Sequence, residues 1–146
     1  MSSLALVVTV DGAHLTVADI AAVATRTEGV ELAPAARGRA AESSEHAERV
    51  SARRPVYGRS TGVGANRDIA IADPAAHALA LLRSHATSAG APRAAERVRA
   101  MLVVRLNQLA AGGSGASPAL LDGGARSARR GADVQSPAPA GRTRRS

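Results

Sequence analysis

Tyr57-Gly58-Arg59-Ser60-Thr61-Gly62-Val63-Gly64 sets the only aromatic side chain of the 146-residue sequence beside three glycines. Glycine reaches left-handed backbone conformations at little cost, so such a run can turn tightly and hold a phenol toward a ligand. The chemistry open to that phenol is proton transfer. An ordinary phenol keeps its proton at neutral pH and serves as a general base only with donors or charges at its oxygen. Taken alone, Tyr57 reads better as a packed tyrosine with a solvated hydroxyl. The loop does not read as a phosphate cradle, because the P-loop pattern ends in Gly-Lys-Ser/Thr and no lysine occurs in the chain.

Four histidines, His14, His46, His77 and His85, are the other titratable candidates. They show no metal-ligand spacing. On a common helix His77 and His85 stand about 12 Å apart along the axis, too far to share an ion. With no cysteine, thiolate sites and disulfides are excluded. No metal site is expected. By its position alone, His85 reads as a histidine at a helix end.

The elements that must position these groups are mainly helical. Apolar residues make up 45% of the chain, with no Trp or Phe, so any core must be aliphatic. Leu4 to Val10 reads as a short strand or extended arm, and Asp11-Gly12 as a turn. Thr16-Val17-Ala18-Asp19 resembles a capping box opening a helix to about Arg26, with Val17, Ile20, Ala21 and Ala24 on one face. Pro34 suits a first helical position, giving a charged surface helix to about Arg53 that Pro55 ends. Asp73-Pro74 supplies an N-cap and a proline at N1 for a helix to His85 or Ala86. Pro92 opens the last convincing helix, to Ala110. Val98, Met101, Leu102, Val103, Val104, Leu106 and Leu109 surround most of its circumference, the pattern of a helix inside a larger assembly. Its polar Arg105 and Asn107 need partners if buried.

The formal net charge of +7 divides unevenly. Residues 1–121 carry 13 Arg against 10 acidic residues; residues 122–146 carry 6 Arg against 2 Asp. Every basic residue is Arg, the bias of a GC-rich gene. A basic tail can hold phosphate backbones non-specifically. No aromatic stacking platform accompanies this one, so a nucleic-acid role is not expected. From Asp122 onward the Arg, Ala, Gly, Ser and Pro composition without periodicity reads as disorder.

Several segments become specific when read in order. Val10-Asp11-Gly12, Leu15-Thr16 and Asp19-Ile20 precede Val56-Tyr57-Gly58 with Thr61-Gly62 and Gly64. Leu81-Leu82-Arg83-Ser84-His85-Ala86 follows, then Arg99-Ala100-Met101-Leu102, Arg105-Leu106-Asn107, and Gly112 with Ser114-Gly115. Over about residues 4–121 this series resembles the N-terminal part of the aromatic amino acid ammonia-lyases, the histidine/phenylalanine/tyrosine ammonia-lyase family. The resemblance implies the N-terminal part of an ammonia-lyase-like helical fold, with a short N-terminal strand and a disordered C-terminal tail.

It also implies a chemistry. The family releases ammonia with an electrophilic methylidene-imidazolone made from an internal Ala-Ser-Gly. A tyrosine in its Tyr-Gly-x-x-Thr-Gly-x-Gly loop takes the β-proton, the position Tyr57 holds, with Gly58, Thr61, Gly62 and Gly64 as loop support. His85 matches the position that contacts the substrate side chain, where a histidine suits histidine or tyrosine better than phenylalanine. Arg105 and Asn107 match helix residues that support the site. An aromatic amino acid substrate and a homo-oligomer, a tetramer in the family, are implied for a complete enzyme.

Departures from the family pattern are specific. Ser60 stands for the usual Asn, Val63 for the usual Phe, and Ala78 and Ala80 for a common Gln and Asn. No Ala-Ser-Gly occurs; Gly115-Ala116-Ser117-Pro118 is the nearest run. The chain is therefore expected to encode no electrophile and to be an inactive fragment by itself. The alternative is a non-catalytic helical module that co-assembles with a full-length lyase or aminomutase. The tail from Asp122 has the composition of out-of-frame translation. Shifted forward one nucleotide, codons for Ser127 to Asp133 can read Ala-Leu-Asp-Ala-Gly-Leu-Thr, close to a segment the family has there. Met1 to Val10 lacks a basic n-region and cleavage signal, and no apolar run approaches the length of a membrane span. A cytoplasmic protein without membrane contact is expected.

Overall fold

A computed structural model of the chain describes residues 7–25, 28–86, 91 and 93–130. The described elements are β1 (Val7–Val10), α1 (Val17–Ala24), β2 (Gly29–Leu32), α2 (Pro34–Arg53), α3 (Pro74–His85), α4 (Ala95–Ala110) and α5 (Pro118–Arg130), with a 3-10 turn at Gly64–Asn66. The fold is mainly helical, as expected. The chain divides into two units: Met1–Ser44 with Ala91–Ser146, and Glu45–Gly90.

The first unit is built on a β1-α1-β2 crossover. β1 and β2 pair in parallel, with Val7 opposite Gly29 and Val10 opposite Leu32. Parallel strands need a helix-length connection, which α1 supplies. Alternation puts Val8, Val10, Val30 and Leu32 in the core and leaves Thr9 and Glu31 outside, where the Thr9 hydroxyl donates to Glu31 at 3.0 Å. β2 carries no separate expectation from sequence; only Val30 and Leu32, two residues apart, mark its inner face. α1 opens with the expected capping box: Asp19 N–H donates to Thr16 Oγ1, and Thr16 N–H to the Asp19 carboxylate. Its inner face differs from the expected one. Val23 is buried and Ile20 packs on the core, whereas Val17 is 82% exposed. Both rows satisfy helical spacing; packing against α4 selects the second.

α4 crosses this core with Val103, Leu106 and Ala110 buried. It is less uniformly inward than its sequence suggests, since Met101 is 63% exposed. The buried Arg99 is satisfied by its Nε donating to the Ala24 carbonyl at the end of α1, 2.6 Å away. Asn107 accepts from the Gly12 amide at 2.9 Å, while the exposed Arg105 donates to Gln108 on the same helix. Gly12 has φ 89°, and a Cβ there would lie 2.5 Å from the Ala111 amide nitrogen. The first turn therefore presses directly on the end of α4. Arg39 of α2 fastens both sides, donating to the carbonyls of Asp11 and Ala110.

The expectation of disorder from Asp122 is corrected for residues 122–130, which form most of α5. Pro118 starts the helix, and the Ser117 carbonyl accepts from the amides of Leu120 and Leu121. Leu121, Ala125 and Ala128, at i, i+4 and i+7, are buried in the same core as α4 and β2. Arg37 of α2 bonds the Asp122 carboxylate at 2.7 Å. Burial of that face offsets the helix-weakening Gly123 and Gly124. Residues 131–146 lie outside the described residues, as do Arg26 and Pro92.

The second unit holds the end of α2, the glycine loop and α3. α2 stops at Arg53, two residues before Pro55. Asp73 caps α3 by accepting from the amides of Ala75 and Ala76, both at 3.0 Å, with Pro74 at N1. Among its described residues only Thr61 and Gly62 are buried. Leu82 is 69% exposed.

Candidate active site

Local hydrogen bonds explain how the loop presents Tyr57. The Val56 carbonyl accepts from the amides of Arg59, Ser60 and Thr61, at 3.1, 2.9 and 3.2 Å. The Val56 amide donates to Ser60 Oγ at 2.8 Å. Both peptide groups flanking Val56 are thereby used inside the turn. Thr61 pairs with Ala70 in an antiparallel bridge, completed by Gly62 N–H to Ile69 and Ile71 N–H to Ser60.

The glycines are needed for stated reasons. Gly58 and Gly64 have φ of 70° and 60°, where a side chain is strained. Gly62 lies outside the left-handed region, but a Cβ there would stand 2.4 Å from the Asn66 carbonyl oxygen. Tyr57 projects from this frame 64% exposed. Its phenol oxygen accepts from the Gly64 amide at 3.1 Å. That bond uses an acceptor site and leaves the hydroxyl proton free. An amide dipole aimed at the oxygen stabilises negative charge there.

His85 lies exposed in the last turn of α3. Its Nδ1 is 2.9 Å from the Leu81 carbonyl oxygen and 3.0 Å from Ser84 Oγ. A carbonyl only accepts, so Nδ1 carries the proton in that contact and Nε2 of the neutral ring is left as an acceptor. Ser84 Oγ itself donates to Leu81 at 2.9 Å. Among the described residues no hydrogen bond joins Tyr57 to His85; each is held by its own element. Arg105 and Asn107 belong to the first unit, where Asn107 secures the first turn.

No group of three or more His, Asp or Glu among the described residues can hold a metal ion. His77 has a buried Nε2 without a partner, a single nitrogen rather than a ligand set. Sequence reasoning passed over Arg99, Arg39 and Ser60 as positioning groups. Arg99 offered a signal, being the one charged residue on the inward row with Val103, Leu106 and Ala110. The roles of Arg39 and Ser60 depend on tertiary and turn geometry and leave no spacing signature. No helix among the described residues is long and apolar enough to cross a membrane.

A glycine-braced turn thus presents the Tyr57 phenol to solvent with the Gly64 amide at its oxygen, on a mainly helical fold. The chain belongs to the aromatic amino acid lyase family, whose profile matches residues 15–131. It is 49% identical over 107 residues to the histidine ammonia-lyase of Symbiobacterium thermophilum, covering 71% of this chain and 21% of that protein. It is 42% identical over 118 residues to a probable histidine ammonia-lyase of Halobacterium salinarum, covering 79% and 22%. Among solved structures, the ergothioneine-degrading ergothionase of Treponema denticola superposes with a TM-score of 0.80 at 29% identity, over 86% of this chain and 26% of that one. The tyrosine aminomutase of Streptomyces globisporus gives 0.78 at 31% identity, over 86% and 24%. The chain thus spans about a fifth of the length of the curated relatives it matches.

Proposed function

We propose that the chain is the N-terminal portion of a histidine ammonia-lyase, contributing its proton-transfer and ring-recognition side chains. The 49% identity to the S. thermophilum enzyme carries this reading. In a complete enzyme Tyr57 takes the substrate β-proton onto its phenol oxygen, where the Gly64 amide already donates. His85 offers Nε2 to a ring N–H or phenolic O–H. Gly58, Thr61, Gly62 and Gly64 hold the turn.

The family's methylidene-imidazolone, which supplies the electrophile that releases ammonia, does not fit the residues present. Its nearest counterpart, Ala116-Ser117-Pro118, has a proline without the amide that must close the ring, and it opens α5 instead. The proposal includes inactivity of the lone chain and homo-oligomeric, cytoplasmic assembly of any complete form. Incubation of the chain with histidine, tyrosine or phenylalanine is expected to give no urocanate- or cinnamate-type absorbance; turnover refutes the inactivity. Fusing residues 1–121 to the remaining part of the S. thermophilum enzyme is expected to restore urocanate formation. Preference of that fusion for phenylalanine would refute the histidine assignment. For the tail, reading the gene in the shifted frame is expected to reveal Ala-Ser-Gly; an early stop codon without it removes the frameshift.

A second reading, a non-catalytic module co-assembling with a full-length lyase or aminomutase, is favoured by the outer face of α4. Ala100, Met101, Val104, Arg105 and Gln108 line a groove of about 370 Å³ there. Co-purification with such an enzyme supports it, and loss of co-purification in Met101→Glu places the contact on α4.

A further inference from the structure

We infer that Ser60 is the positioning residue of Tyr57, acting through Val56; the catalytic significance of this rests on Tyr57 being the proton acceptor proposed above. Ser60 is bound three ways. Its Oγ accepts from the Val56 amide at 2.8 Å, its amide donates to the Val56 carbonyl at 2.9 Å, and its carbonyl accepts from the Ile71 amide at 3.1 Å. Val56 immediately precedes Tyr57, so the residue before the phenol is clamped at both its N–H and its C=O by one serine. The serine is itself anchored to the strand-like segment that carries Thr61 and Ala70. The ring, 64% exposed, has little packing to hold it. Its direction is set by this backbone clamp and by the Gly64 amide at the other end. A hydroxyl meets the requirement because the Val56 amide needs one short acceptor four residues ahead.

Composition makes the test direct. With one Tyr and no Trp or Phe, the near-ultraviolet circular dichroism of the chain reports on Tyr57 alone, and that signal depends on fixed tertiary surroundings. Ser60→Ala is expected to lose most of the tyrosine band while the far-ultraviolet helix signal persists. Ser60→Thr, which keeps the hydroxyl, is expected to retain the band. Retention of the band in Ser60→Ala, or an equal loss in Ser60→Thr, would overturn the inference. Should Ser60→Ala unfold, amide exchange in the unaltered chain decides. The Val56 amide is expected to be protected, and exchange at the rate of a free amide overturns the clamp. Neither measurement uses turnover. Full activity of Tyr57→Phe in the fused enzyme would therefore remove the proton-acceptor reading and leave the clamp standing.

Discussion

At Gly62 there is no room for a methyl group: a Cβ would lie 2.4 Å from the Asn66 oxygen and 2.8 Å from its Cβ. Gly62→Ala is expected to destabilise the second unit by about 1–3 kcal/mol through forced backbone shifts, seen as earlier chemical unfolding of the Tyr57 fluorescence signal. Tyr57→Phe in the fused enzyme should lower kcat by about 10²–10⁴-fold, the usual share of a general base. Steady-state kinetics with histidine checks it. Asp11 contributes to the acid side of stability. Its carboxylate receives the His14 ring at 2.6 Å and the amides of Ala13 and His14, led by the side-chain bond from His14, and is held well below the ordinary aspartate range. A lowered folded value stabilises the fold above the unfolded aspartate value, and the contribution disappears as pH falls through the folded one. Asp11→Asn should therefore flatten the acid limb of the melting temperature between about pH 5 and about pH 2. Residue types and order in the sequence singled out Tyr57 and His85. The contacts that aim them were not legible, because the bond from Gly64 to the phenol depends on two left-handed glycines acting together.

Two elements with a chemical start signal were legible to the residue, whereas α4 begins at Ala95 and not at the expected Pro92. Pro34 and Arg53 bound α2 as expected, and Asp73-Pro74 opens α3. α5 was hidden because Gly123, Gly124 and three Arg mask an inward row of only three residues, Leu121, Ala125 and Ala128. β2 was hidden because four residues give too little alternation to stand out. A chain ending at residue 121 is expected to melt below one ending at residue 130, since it loses the buried Ala125 and Ala128 and the Arg37–Asp122 pair. Equal melting temperatures would mean that α5 adds nothing to the core. In α4, Leu106→Ala should cost about 2–5 kcal/mol, the range for a large core side chain cut to alanine, measured by denaturant unfolding.

The two units differ in what holds them. Among the described residues the first encloses all the buried hydrophobic ones, while the second leaves Ile69, Leu79 and Leu82 exposed. Few buried contacts mean low local stability. Amide exchange is expected to be fast in α3 and slow in β1 and α4; the reverse order would contradict this division. Composition anticipated an aliphatic, helical molecule. It did not reveal that residues 45–90 interrupt the first unit, since discontinuity in space has no compositional mark.

That interruption bears on how the protein is made. The first turn is tied to α4 by Gly12 and Asn107, 95 positions apart, and by Arg39 and Ala110, 71 apart. Contacts this distant close late, because a long loop must be ordered before they form. On the ribosome β1 leaves before α4, yet its fastening cannot exist until α4 has cleared the exit tunnel. Residues 45–90, whose described part is the end of α2, the glycine loop and α3, can order while that wait continues. Strand β1 is thus made well before it is secured, and Arg39, bonded to both Asp11 and Ala110, is one of the side chains that join the two ends.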